Sequence, residues 1–141
     1  MATTRPPRLI HLMSLAQHRL WKTSDGAIRE MLGISTAQLA LLFVLEKEPG
    51  ASPREASERL GVNASAITGL ISRMEDAGLV RREGGAEDGR VVRLFATEAG
   101  LAKAAAGKPI IARLNARLTA GFGEDEIATV ARFLGAILER F

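Results

Sequence analysis

Residues 52–95 read SPREASERLGVNASAITGLISRMEDAGLVRREGGAEDGRVVRLF. Ser52 stands at an N-cap, with Pro53 at the first helical position and Glu55 three residues on, which is the pattern of a capping box. A short helix is expected to run from there to Leu60 and to stop at Gly61. Asn63 then caps a second helix over Ala64–Ala77, closed by Gly78. On that helix Ile67, Leu70, Ile71 and Met74 fall on one face, and Ser65, Thr68, Gly69, Ser72 and Arg73 fall on the opposite one. After Gly78 the hydrophobic period changes from helical to two. Leu79–Arg82 and Arg90–Phe95 have the character of strands and flank Gly84–Gly89, a loop of turn-forming residues, so a β-hairpin follows. Two helices across the tight turn Gly61-Val62-Asn63, with a two-stranded wing behind them, predict a winged helix-turn-helix.

Outward from this centre the pattern is helical on both sides. Leu9, Leu12, Met13, Ala16, Leu20, Ile28, Met31 and Leu32 recur at helical spacing, with Gly26 a weak point and Gly33 the end. Ser35 and Gln38 form a second capping box ahead of the apolar run Leu39–Leu45, and that helix closes in Glu46–Gly50. Downstream, Thr97 caps a helix reaching about Leu118. Pro109 inside it should produce a kink, because proline lacks the N–H and crowds the preceding turn. Gly121 and Gly123 break the chain. Glu124, Asp125 and Glu126 then place negative charge on the first turn of a last helix that ends at Phe141, with Arg140 in its last turn. The expected fold class is mainly α with a small β-hairpin wing: a winged helix-turn-helix with long N- and C-terminal helices.

Composition narrows the function. A chain of 141 residues, 47% hydrophobic and 25% charged, is expected to form one globular domain. No apolar run approaches the roughly 20 residues that cross a bilayer, and Met1–Arg8 has none of the apolar stretch of a secretory signal. A cytoplasmic protein without a membrane partner is expected. The absence of cysteine excludes thiolate metal sites and cysteine nucleophiles. His11 and His18 would stand about 10.5 Å apart along a helix, too far to share an ion. There is no glycine-rich phosphate loop, metal-ligand spacing or nucleophile elbow, so neither an enzyme nor a cofactor is expected. With no tyrosine and one tryptophan, the chain also lacks the aromatics of a single-strand stacking platform. A net charge of +3 is compatible with a nucleic-acid partner without demanding one.

Double-stranded DNA fits the geometry better. The first helix of the pair braces the second, whose small polar face can enter a major groove about 12 Å wide. Ser65, Ala66, Thr68 and Gly69 permit close approach to base edges, while the hairpin carries arginine outward. Helix-turn-helix units also serve as packing or protein-interaction elements, and residues 34–78 hold four basic and six acidic residues, net −2. An interaction or ligand-sensing module without DNA binding is therefore the alternative.

The stretch Asp88-Gly89-Arg90-Val91-Val92-Arg93-Leu94-Phe95-Ala96-Thr97-Glu98-Ala99-Gly100 resembles the wing signature of the MarR-type transcriptional regulators: Asp-x-Arg, alternating apolar residues, then Thr-x-x-Gly at the start of the fifth helix. Gly33-Ile34-Ser35, Leu60-Gly61-Val62 and Met74–Arg82 match at their places in the same order. The resemblance implies a homodimer in which residues 1–33 and 98–141 supply dimerisation helices. It makes 34–97 the DNA-binding lobe, and a palindromic operator the target. It places Ser65, Ala66, Thr68, Gly69, Ser72 and Arg73 on the recognition helix, and Asp88 and Arg90 at the wing aspartate and wing-tip arginine. Two positions depart from the family pattern. Gly69 stands where a basic or longer polar residue is common, and Gly89 where the wing usually has a second basic residue; both reduce the charge facing DNA.

Individual side chains carry competing readings. Asp88, two residues before Arg90, can hold its guanidinium fork, which favours a DNA contact over a solvated loop arginine. Of Arg81 and Arg82, one is available for phosphate while the other pairs with Glu83. The family resemblance puts the first helix beside an effector pocket, which makes His18, Arg19, Trp21 and Lys22 candidates for binding a small aromatic or phenolic effector. Core or dimer packing of Trp21 and ordinary surface histidines are the simpler account.

Overall fold

The computed structural model describes residues 8–85 and 90–141, and of Arg90 only the backbone. The chain forms two compact units, one running through Lys108 and one from Pro109 to Phe141. In the first unit α1 spans Leu9–Leu32 and ends on Gly33, whose φ of 70° is the left-handed cap that glycine adopts without strain. The helix passes unbroken through Gly26, so the expected weak point does not interrupt it. Helix α2 spans Thr36–Lys47 behind the full capping box: the Ser35 hydroxyl accepts from the Gln38 N–H, and the Gln38 side chain accepts from the Ser35 N–H at 2.8 Å.

Helix α3 spans Pro53–Leu60. Here only half of the expected box forms: Ser52 Oγ accepts from the Glu55 N–H at 3.1 Å. The Glu55 side chain makes no return bond among the described residues, because with Pro53 and Arg54 on an exposed turn the carboxylate stays in water. The turn into α4 (Ala64–Asp76) closes with the Val62 N–H donating to the Ser57 carbonyl at 3.1 Å, as a helix-ending glycine at Gly61 allows.

Strand β1 covers Val80–Gly85 and β2 covers Arg90–Ala96, paired antiparallel from Val80 opposite Ala96 to Gly85 opposite Arg90, with a bulge between Glu83 and Gly85. Gly84 and Gly85 thus belong to the strand and not to the loop. Their positive φ values, 76° and 147°, twist the strand at the bulge. The connection between α2 and α3 adds a short third pairing, since the Leu94 N–H donates to Ala51 and the Gly50 N–H donates to Leu94, each at 2.9 Å. The core of this unit gathers Ile28, Leu32, Leu39, Leu41, Leu42, Leu45, Ile67, Leu70, Ile71, Met74, Val80 and Leu94, all buried.

Helix α5 spans Glu98–Thr119 and continues through Pro109. In the second unit α6 spans Glu124–Arg140. The Gly123 N–H donates to the Glu126 carboxylate at 3.0 Å, so this acidic residue caps its own helix. Helix α6 buries none of its residues, and Val130, Phe133, Leu134 and Leu138 stand exposed on it. No single helix is long and apolar enough to cross a membrane among the described residues.

Candidate nucleic-acid interface

Helix α4 is divided as its sequence requires. Ile67, Leu70, Ile71 and Met74 are at most 5% exposed, whereas Ser65, Ala66, Thr68, Ser72 and Arg73 are exposed. Asn63 Oδ1 accepts from the Ala66 N–H at 2.8 Å and fixes where the helix begins. The Thr68 hydroxyl donates to the Ala64 carbonyl at 2.8 Å, which commits its proton to the helix and leaves its methyl and lone pairs outward. Arg73 lies back along the helix toward its N-terminus, as long helical side chains do. Its Nη1 is 3.3 Å from the position a Cβ on Gly69 would occupy. It joins no ion pair among the described residues.

Helix α3 braces α4 from behind and is itself tied to the end of α2. Arg59 Nη2 meets Glu48 Oε1 at 3.0 Å, a pair that holds the Glu48 carboxyl below its usual range and the Arg59 guanidinium above its own. The wing is tied in as well. Arg82 Nε donates to Glu75 Oε1 at 2.8 Å, linking β1 to the last turn of α4. Arg81 pairs with Glu83 and stacks its guanidinium 4.4 Å from the Phe95 ring centroid. Arg81 therefore takes Glu83, and Arg82 takes a carboxylate that the local sequence does not suggest, seven residues back. Both pairs are exposed and cheap to exchange for phosphate. Arg93 Nη1 donates to the Gly50 carbonyl at 3.2 Å. Asp88, Gly89 and the side chain of Arg90 lie outside the described residues; the Arg90 backbone opens β2 opposite Gly85.

Thr97 is the clip where the wing returns to helix. Its Oγ1 donates to the Gly78 carbonyl at 2.6 Å and accepts from the Gly100 N–H at 3.1 Å, while its own N–H donates to Leu79 at 3.0 Å. Gly100 is pressed so close to the chain that an added Cβ would stand 2.2 Å from the Leu79 carbonyl oxygen. Thr97-x-x-Gly100 is thus a packing device that fixes the root of the wing. The sequence marks Thr97 as a cap and, with Gly100, as the Thr-x-x-Gly of the wing signature; the packing role comes from the fold.

The four α1 candidates, His18, Arg19, Trp21 and Lys22, all lie exposed, with Trp21 49% accessible. A shallow groove of about 660 Å³ on α1 is lined instead by Arg8, Leu9, Ile10, His11 and Ser14. A residue that sequence reasoning missed joins α1 to the lobe. Asp25 accepts from the Thr36 N–H at 2.8 Å and from Arg29 Nε at 2.7 Å, and these bonds, the backbone one foremost, lower its pKa. Only the i,i+4 spacing to Arg29 hinted at a role.

A model of the MarR family matches residues 32–91. The HTH-type transcriptional repressor MdtR of Bacillus subtilis is 32% identical over 114 residues, which cover 78% of this chain and 71% of MdtR. The chain belongs to the MarR family. Among solved structures similar to this regulator is the PcaV transcriptional regulator of Streptomyces coelicolor in complex with its natural ligand. It is 28% identical with a TM-score of 0.76, covering 99% of this chain and 96% of PcaV. The transcriptional repressor CouR bound to p-coumaroyl-CoA is 25% identical, with a TM-score of 0.82 and coverage of 94% and 93%. The regulator has the winged helix-turn-helix fold of these proteins, and its function is transcription regulation.

Proposed function

We propose that this regulator is a cytoplasmic repressor that binds a palindromic double-stranded operator as a homodimer and leaves it when a small aromatic or phenolic acid binds. Residues 34–97 form the DNA-binding lobe, and residues 1–33 and 98–141 the dimerisation helices. Ser65, Ala66, Thr68, Gly69, Ser72 and Arg73 face the major groove. Arg90, steadied by Asp88, reaches phosphate or the minor groove, and Arg81 and Arg82 exchange their exposed carboxylates for phosphates. The observation that carries this reading is the division of α4: an apolar face anchored in the core, a small polar face outward, and a wing bonded to its end. The effector reading draws support from the ligands bound to PcaV and CouR. His18, Arg19, Trp21 and Lys22 are the residues proposed to meet such an acid.

The test is a mobility shift on the intergenic DNA beside the regulator's own gene at two salt concentrations. Specific binding that weakens steeply with salt is expected, because counterions leave the phosphates as arginines arrive. The net charge of −2 over residues 34–78 favours one rival, a dimeric interaction or ligand-sensing module. Absence of a sequence-specific shift at low salt would select that rival. A panel of aromatic acids should raise the melting temperature and weaken the shift together.

A further inference from the structure

We infer that Gly69 and Arg73 act as one specificity-determining unit, in which Arg73 reads a guanine through the slot that Gly69 leaves open; this rests on the DNA-binding reading above. Arg73 is in the last turn of α4, where a side chain pointing straight outward would meet the DNA backbone. It does not point straight outward. Its guanidinium lies one turn back, with Nη1 3.3 Å and both Cζ and Nη2 4.0 Å from where a Gly69 side chain would begin. That brings the charge to the middle of the exposed face, in line with Ser65 and Ser72. With no carboxylate paired to it among the described residues, the fork keeps its donors for an outside acceptor.

The neighbours favour a base over a phosphate. Thr68 has given its hydroxyl proton to Ala64, and Ala66 has none. Arg73 therefore supplies most of the hydrogen-bond donors on this face, and a planar fork matches the paired O6 and N7 acceptors of guanine. The missing Cβ at 69 lets the helix backbone approach the groove floor with the guanidinium lying flat.

The experiment selects bound duplexes from a randomised double-stranded DNA library, for wild type, Arg73→Lys, Arg73→Ala and Gly69→Leu. Gly69 is helical without a positive φ, so leucine should keep the fold while displacing the guanidinium. Wild type should select one guanine per half-site, preferred about five- to 150-fold over other bases. That preference should fall to near unity in Arg73→Ala and Gly69→Leu, while Arg73→Lys should narrow it and keep the wild-type salt dependence. An Arg73→Lys or Arg73→Ala protein that retains every base preference of wild type would overturn the inference while leaving DNA binding intact. Gly69→Leu with undiminished guanine preference would remove the glycine from the unit. If wild type selects no sequence, the DNA-binding reading fails, and the inference fails with it.

Discussion

Gly100 has space for a hydrogen and nothing larger. A methyl group there would stand 2.2 Å from a carbonyl oxygen and 2.9 Å from Leu42 Cδ2, and backbone does not yield as a flexible side chain does. Gly100→Ala should destabilise the protein by about 3 kcal/mol or more, measured by urea unfolding; a loss under about 0.5 kcal/mol would contradict this packing. Asp25 makes a prediction with a pH signature. Its lowered pKa means that the folded protein favours the carboxylate. The stabilisation is complete above the unfolded value near 4 and is lost as pH falls through the lower folded value. Asp25→Ala should cost about 1–2 kcal/mol at pH 7, as loss of a helix cap does, and progressively less on acidification below about pH 4. A difference that stays constant down to pH 2 would show that the charge is irrelevant. For Arg90→Ala, operator affinity should fall by on the order of 1–3 kcal/mol per contact with a flatter salt slope, and the melting temperature should not move. Equal affinity and equal slope would take the wing off the DNA.

The elements were largely legible in the sequence because caps and glycines mark their ends. Ser35, Ser52 and Asn63 each bond the backbone where their type and spacing say they should. What escaped was made by contacts across the chain. The Ala51–Leu94 bridge, the Arg82–Glu75 pair and the Asp25–Thr36 bond join residues 43, 7 and 11 positions apart, and no local pattern encodes them. Gly84 and Gly85 mislead for the opposite reason, since turn-forming residues also make bulges within strands. Gly26 shows the same ambiguity in α1: nothing lies within 4 Å of an added Cβ, and its φ is not positive. Gly26→Ala should therefore stabilise the helix by about 0.5–1 kcal/mol. A drop in thermal stability would mean that α1 must bend there in the working protein.

At the scale of the whole molecule the unpaired quantity is apolar surface. Leu9, Ile10 and Leu12 on α1 are 46%, 89% and 53% exposed, and Leu134 and Leu138 on α6 are 45% and 85% exposed. Ile110, on α5, is by contrast buried within the single chain. Exposed apolar faces on two helices normally mark an interface, and a second copy is the proposed occupant. Leu134→Glu combined with Leu138→Glu should convert a micromolar dimer into monomers by light scattering and abolish the mobility shift. A wild-type monomer at that concentration would end the dimer proposal.

The clip at Thr97, bonded to Gly78 just past the end of α4, and the close packing of Gly100 against Leu79 make a ruler of the lobe. These bonds keep α4 and the wing in register, so on the proposed DNA-binding reading the distance between the bases one meets and the groove the other meets is a constant of the protein. One extra base pair inserted inside a half-site moves the outer contact by about 3.4 Å and turns it around the duplex axis. Such an operator is written in the wrong gauge. The same base pair inserted at the dyad tests something else, the span between two rulers, and the two insertions separate rigidity within a lobe from compliance between lobes.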